Sequence, residues 1–151
     1  MCQATAPSKE PNQFSAANLK AIRDRTHSHC VVCASGNPTG LKLEFTLTTD
    51  GAVEGVFAAS LGLQGYDGLV HGGVIASMLD GAMTNCLFAY GKEALTAELI
   101  VRYHKPVLVS EKIVLRAWIE QSSSHLFCMR SELSQNGCVK ATAKAKFLNR
   151  P

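Results

Sequence analysis

Residues 72–90 read GGVIASMLDGAMTNCLFAY, and this stretch decides the fold. Alanine, methionine and leucine dominate it and strand alternation is absent, so it predicts a helix about 28 Å long at 1.5 Å per residue. Its side chains are apolar around most of the circumference, the pattern of a helix enclosed by other structure. Gly91 is well placed to end it. One polar stripe interrupts the apolar surface. At about 100° per residue, Ser77, Asp80, Gly81, Thr84 and Asn85 line up, while Val74, Ile75, Met78, Leu79, Met83 and Phe88 take most of the rest. A carboxylate midway along a buried helix is costly unless something uses or pairs it. From the residues alone two readings stay open: Asp80 as a working group, or Asp80 capping a loop or paired with an arginine such as Arg102.

What encloses the helix is legible on both sides of it. From Leu41 the period is two, with Leu41, Leu43, Phe45 and Leu47 opposed to Lys42, Glu44, Thr46 and Thr48, which predicts a half-buried strand. Asp50-Gly51 signals a hairpin turn, and residues 52–57 return as a second strand. Residues 58–71 form a glycine-rich loop. After the helix come four more strand signals, at 95–104, 112–120, 126–133 and 138–148, with turns at Ser122–Ser124 and Asn136-Gly137. On the first of these, Thr96, Glu98, Ile100, Arg102 and His104 are expected to share a face. Ahead of everything lies a short helix, with Phe14 as a staple toward Leu19, Ser15 as N-cap, and an end near Arg25. A nearly all-apolar helix in such company must be wrapped by the sheet, so the fold class is α+β.

Composition narrows the function classes. At 151 residues the chain has room for one core, too little for a two-domain cofactor enzyme. It is 46% hydrophobic, which argues against disorder, and no apolar run of roughly 18 residues is present to span a membrane. A net charge of +3 is too small to argue for nucleic acid. Residues 1–13 hold two prolines and little bulky apolar content, and read as a mobile tail without the form of a secretory signal. Six irregularly spaced cysteines suggest reduced thiols in a cytoplasm.

The chemistry gathers at the opening of the long helix, His71-Gly72-Gly73. Two glycines let a ligand approach the backbone closely, and the free N–H groups and helix dipole favour negative charge there. An oxyanion hole uses the same physics. His71 is expected to bond a neighbouring backbone group and fix the glycine turn, not to transfer protons. A second cluster, His27-Ser28-His29-Cys30-Val31-Val32-Cys33, has metal-ligating residue types. No second CxxC exists, four ligands within seven residues would make a strained cage, and the expectation is a loop with buried thiols and no metal.

LVHGGVIASMLDGAM, with Asp80 nine residues after His71, resembles the hotdog-fold acyl-CoA thioesterases, most closely their phenylacetate-type (PaaI-like) branch. The resemblance covers residues 38–148, leaving 14–37 as an N-terminal helix and Cys/His loop and 1–13 as the tail. It implies a central helix wrapped by an antiparallel sheet of about six strands. It also implies hydrolysis of a thioester to free acid and coenzyme A, with no cofactor beyond the coenzyme A of the substrate. Asp80 takes the family's catalytic carboxylate position, as nucleophile or as base for water. Gly72 takes that of the oxyanion N–H, and Thr96 that of a strand hydroxyl that positions water. Thr84 is the rival hydroxyl, one helical turn past the carboxylate. His71, Gly73, Ser77 and Thr84 are then expected along the substrate. Two features depart from the family. Gly65 stands where many members carry an asparagine six residues before the histidine, and Gln121–His125 lacks an arginine that helps hold the nucleotide. A non-catalytic acyl-CoA or acyl-carrier binding domain is therefore the alternative. Hotdog subunits pair, which implies a homodimer that assembles further into a dimer of dimers. The acyl group is not legible.

Overall fold

The computed structural model describes residues 14–151; the tail expected at 1–13 lies outside the described residues. Helix α1 (Ala16–Thr26) begins where the Ser15 hydroxyl accepts the Asn18 N–H at 3.1 Å. The Phe14 ring rests on that of Tyr90, their centroids 4.5 Å apart. The long helix α2 (Gly72–Ala89) is buried on every side from Gly81 to Ala89 and on one side before that, with Met78, Leu79, Ala82, Met83, Cys86 and Leu87 fully enclosed. It ends at Gly91, whose φ of +70° lets its own N–H reach Phe88 O and the Lys92 N–H reach Leu87 O, both at 2.9 Å.

Six strands wrap it: β1 (Thr46–Leu47), β2 (Val53–Ala58), β3 (Ala94–Tyr103), β4 (Lys112–Ser122), β5 (Leu126–Gln135) and β6 (Cys138–Asn149). They form one sheet of order β1-β2-β4-β5-β6-β3, antiparallel throughout. This is the hotdog arrangement. Alternation decides the buried face: Ile113, Leu115 and Ala117 of β4, Met129 and Leu133 of β5, and Ala141, Ala143, Ala145 and Phe147 of β6 all turn toward α2. The three alanines keep that face shallow beneath the helix, while Lys140, Lys144 and Lys146 face outward. No helix among the described residues is long and apolar enough to cross a membrane.

Three expectations need correction. The strand at 41–48 is reduced to the two residues of β1. Leu43 and Phe45 are buried and Lys42 and Glu44 exposed, as the alternation requires, but Lys42 adopts φ +55° and the chain pairs elsewhere. The N–H groups of Leu41 and Leu43 reach Val31 O and Val32 O at 2.7 and 2.9 Å. The chain also crosses close over β2 at Gly55, where an added Cβ would lie 2.6 Å from Glu44 O. The second correction concerns β3. Its register shifts between Thr96 and Glu98, so Thr96 sits opposite the buried Phe147 and Glu98 opposite the outward Lys146. Thr96 therefore faces α2, while Glu98, Ile100 and Arg102 face away. Third, Cys30, Cys33, Cys86 and Cys138 are free thiols, but Cys128 is disulfide-bonded, so the reduced-thiol expectation does not extend to it.

Because the Glu44 carbonyl has no room to move without breaking the pairing at 41–43, Gly55→Ala should destabilise the protein by about 1–3 kcal/mol. Urea unfolding reads this directly, and an unchanged midpoint would show that the crossing is not tight.

Candidate active site

The site is built on two levels of α2. At its start His71 is extended (φ −62°, ψ 137°) and caps the helix with its ring, Nδ1 accepting the Gly73 N–H at 2.9 Å. That bond fixes Nδ1 as the unprotonated nitrogen of the cap. The Gly72 N–H, one of the donors that a helix start leaves over, has no hydrogen-bond acceptor among the described residues. Above it the Tyr103 hydroxyl donates to Gly72 O at 2.8 Å and holds the first turn against β3.

Two turns further on, the Asp80 carboxylate is half-buried and accepts the Thr96 hydroxyl on Oδ1 at 2.7 Å. Burial raises its pKa above the ordinary aspartate value, while the Thr96 hydrogen bond and charge on nearby His27 oppose the shift. The bulge in β3 makes this contact, because without the extra residue Thr96 would share the outward face of Glu98. No arginine pairs with Asp80 among the described residues, and Arg102 points away from it. The structural alternative for Asp80 thus has no partner to support it.

The remaining polar residues of the stripe turn onto their own helix. Ser77 Oγ donates to Gly73 O at 2.9 Å, Thr84 Oγ1 to Asp80 O at 3.0 Å, and Asn85 Nδ2 to Gly81 O at 2.8 Å. Such back-bonding is the usual recourse of a polar side chain inside a helix. Of the two rival hydroxyls, the fold brings Thr96 to the carboxylate and ties Thr84 to the backbone. His71, Gly73 and Ser77 are exposed, forming an uncovered strip that leads from the helix start to Asp80. Gln64, beside Gly65, accepts the Gly68 N–H on its Oε1 at 3.0 Å. In the 121–125 hairpin, Ser123 is engaged in the turn, its Oγ accepting the Leu126 N–H at 3.2 Å.

A cleft of about 700 Å³ opens at the start of α2, lined by Tyr66, His71, Gly72, Ile75, Tyr103 and Lys105 among others. Asp80 is not among its walls. Pro106 and Val107 line it too, and the chain just after them is clamped by the fully buried Gln135, whose amide bonds Leu108 N and O at 2.9 and 2.8 Å and Glu111 O at 3.1 Å. Neither Tyr103 nor Gln135 stands out in the sequence. Tyr103 acts on a glycine 31 positions away, and only the phase of β3 after its bulge points it inward. Gln135 is one more polar residue at a strand end.

Comparison with known proteins agrees with this architecture. The model of the thioesterase superfamily matches residues 67–142, half of the chain. The mouse acyl-coenzyme A thioesterase THEM4 is 35% identical over 66 residues, which cover 44% of this chain and 28% of that protein. The chain spans less than half the length of the curated relatives it matches. A crystal structure of a thioesterase superfamily protein superposes with a TM-score of 0.76 at 26% identity, covering 80% of this chain and 60% of the other. A phenylacetic acid degradation-related protein from Ralstonia eutropha JMP134 gives 0.66 at 25% identity, covering 72% and 85%. With the helix, sheet order and match all running through the same residues, the chain belongs to the thioesterase superfamily.

Proposed function

We propose that the protein hydrolyses acyl-CoA thioesters to the free acid and coenzyme A, with Asp80 activating water and the Gly72 N–H receiving the oxyanion. The observation that carries this reading is the Thr96–Asp80 contact of 2.7 Å. It holds one carboxylate oxygen and leaves the other to accept a proton from water. Burial makes Asp80 a stronger base than an ordinary aspartate. As water adds to the carbonyl carbon, its proton passes to Asp80 and negative charge grows on the carbonyl oxygen, where an N–H at a helix start stabilises it. The carbon–sulfur bond then breaks, the sulfur leaves as thiolate, and Asp80 gives its proton to solvent or to that sulfur. A thiolate leaves readily, so no strong general acid is required. Direct attack by Asp80, giving an anhydride that water opens, uses the same groups.

The chain length of α2 adds a condition. Gly72 and Asp80 are eight residues apart, about 12 Å along one helix, too far for a single thioester carbon to touch both. The cleft holding Gly72 excludes Asp80 from its walls. Each complete site accordingly takes Gly72 from one chain and Asp80 from a second. The unpaired edge of β3, with exposed Leu95, Ile100 and Tyr103, supports a homodimer, with a dimer of dimers as further assembly. The acyl-coenzyme A name of the mouse relative supports the substrate class. A cleft of this size suits a nucleotide-bearing substrate, with Lys105 in its wall to meet phosphate.

Asp80→Asn should lower kcat for a hydrolysed acyl-CoA by about 10²–10⁴-fold while acyl-CoA binding persists. Binding without turnover in the wild type would instead indicate a non-catalytic carrier domain. The same variant has a stability signature. Because folding raises the Asp80 pKa, the wild type loses stability as pH rises from the ordinary aspartate value through the folded one. The replacement amide does not titrate, so the variant should be the more stable form at neutral pH and lose that advantage in acid. Thr96→Val removes the bond that holds the Asp80 pKa down, so the acid limb of kcat/KM should move to higher pH. An unmoved limb would separate Asp80 from the titration. Size-exclusion chromatography should show no active monomer.

A further inference from the structure

We infer that His27, Cys30 and Cys33 form a binding site for a thiophilic divalent cation, Zn²⁺. Their donor atoms all lie within 4.8 Å of one another. Zinc–sulfur bonds of about 2.3 Å and zinc–nitrogen bonds of about 2.0 Å put ligand atoms roughly 3.5–3.8 Å apart in a tetrahedron. Cys33 Sγ and His27 Nδ1 already stand at 3.6 Å. The sequence argued against a metal because four ligands within seven residues would be strained, but His29 stands apart from the cluster, exposed, with its ring facing Ser28 Oγ at 3.0 Å. Three ligands suffice, and the half-buried side of the cluster leaves a fourth position for water.

The local backbone is arranged for this. His27 is the C-cap of α1 and its carbonyl accepts the Cys30 N–H at 3.1 Å, closing the turn that brings both sulfurs back to the imidazole. The Val32 N–H donates to Cys30 Sγ at 3.3 Å and holds that sulfur on the imidazole side of the turn. The Phe88 ring meets the His27 ring edge-on at 4.9 Å and fixes its plane. Asn85 of α2, only 1% exposed, reaches Cys33 with its amide, and its Oδ1 has no hydrogen-bond partner. A buried unpaired carbonyl oxygen on a side chain that touches Cys33 is costly, and a water on a cation at the cluster would give it a partner.

Burial pushes the Cys33 thiol up to about 11. Binding Zn²⁺ releases both thiol protons to solvent and forms two zinc–sulfur bonds and one zinc–nitrogen bond, leaving the site with no net charge. Two thiolates and an imidazole suit zinc and disfavour magnesium or calcium. The ion would brace the 27–33 turn, which packs against α2 through Val32. Val32 lies so close over Gly81 that an added Cβ there would meet its Cγ1 at 2.3 Å, one residue from Asp80.

The full chain, produced with zinc in the medium and dialysed against zinc-free buffer, should retain about one zinc per chain by elemental analysis, as the donor set requires. Cys30→Ser and Cys33→Ser should each lower zinc retention more than about tenfold, and Cys138→Ser should leave it unchanged. Should the serine variants fail to fold, Co²⁺ added to apo wild type serves instead, giving a thiolate-to-cobalt charge-transfer band that zinc discharges. The site is refuted by a wild type that carries no zinc and draws none from a chromophoric indicator, by a Cys30–Cys33 disulfide that keeps the ion out, or by zinc that persists in the serine variants. None of these readouts uses thioester hydrolysis, so they stand apart from the proposed reaction.

Discussion

A helix that is apolar on nearly every side has to be enclosed, and the rest of this molecule follows from how α2 is enclosed. Five long or medium strands curve around it, with alanines on β6 where the wall must stay thin and larger residues on β4 and β5. What they cannot cover without penalty is the carboxylate of Asp80. The fold's response is local: one extra residue in β3 turns Thr96 inward and gives the carboxylate a single hydroxyl partner. A full set of partners would have made Asp80 an inert structural acid. One partner, with burial working against the charge, leaves a base of raised strength facing an uncovered strip of helix.

The two ends of the proposed chemistry, an N–H at the helix start and a carboxylate two turns on, are separated by the rise of the helix itself. On the proposed reading each chain carries two half-sites, and a second copy brings the other half of each. The edge of β3 and the exposed strip from His71 to Ser77 are the surfaces left open for it. In the same way, the Cys/His turn lies one residue from Asp80 through the Val32–Gly81 contact. Whatever steadies that turn also steadies the wall behind the carboxylate.

Much of this was legible in the sequence because it is carried by periodicity. The length and burial of α2, the alternation on β4 and β6, and the cap at His71 are local properties, as is the stop at Gly91. The parts that were not legible depend on tertiary geometry. The period at 41–48 correctly marked Leu43 and Phe45 as buried, but burial does not require a ladder, and the segment pairs with 31–32 instead. The β3 bulge has no sequence signature, so counting by two grouped Thr96 with Glu98, Ile100 and Arg102, which face away from α2. The inward turn of Tyr103 follows from the same bulge. The gathering of His27 with Cys30 and Cys33 depends on where α1 ends, and treating His29 as a fourth ligand made the cluster look more strained than it is.

The most direct test is a structure of the protein with a non-hydrolysable acyl-CoA analogue whose carbonyl is retained. The expected result places the carbonyl oxygen within hydrogen-bond distance of Gly72 N–H on one chain, with the carbonyl carbon facing the Asp80 carboxylate of a second. An analogue bound away from Gly72, or a single chain engaging it with no second Asp80 in reach, would contradict the two-chain hydrolytic site.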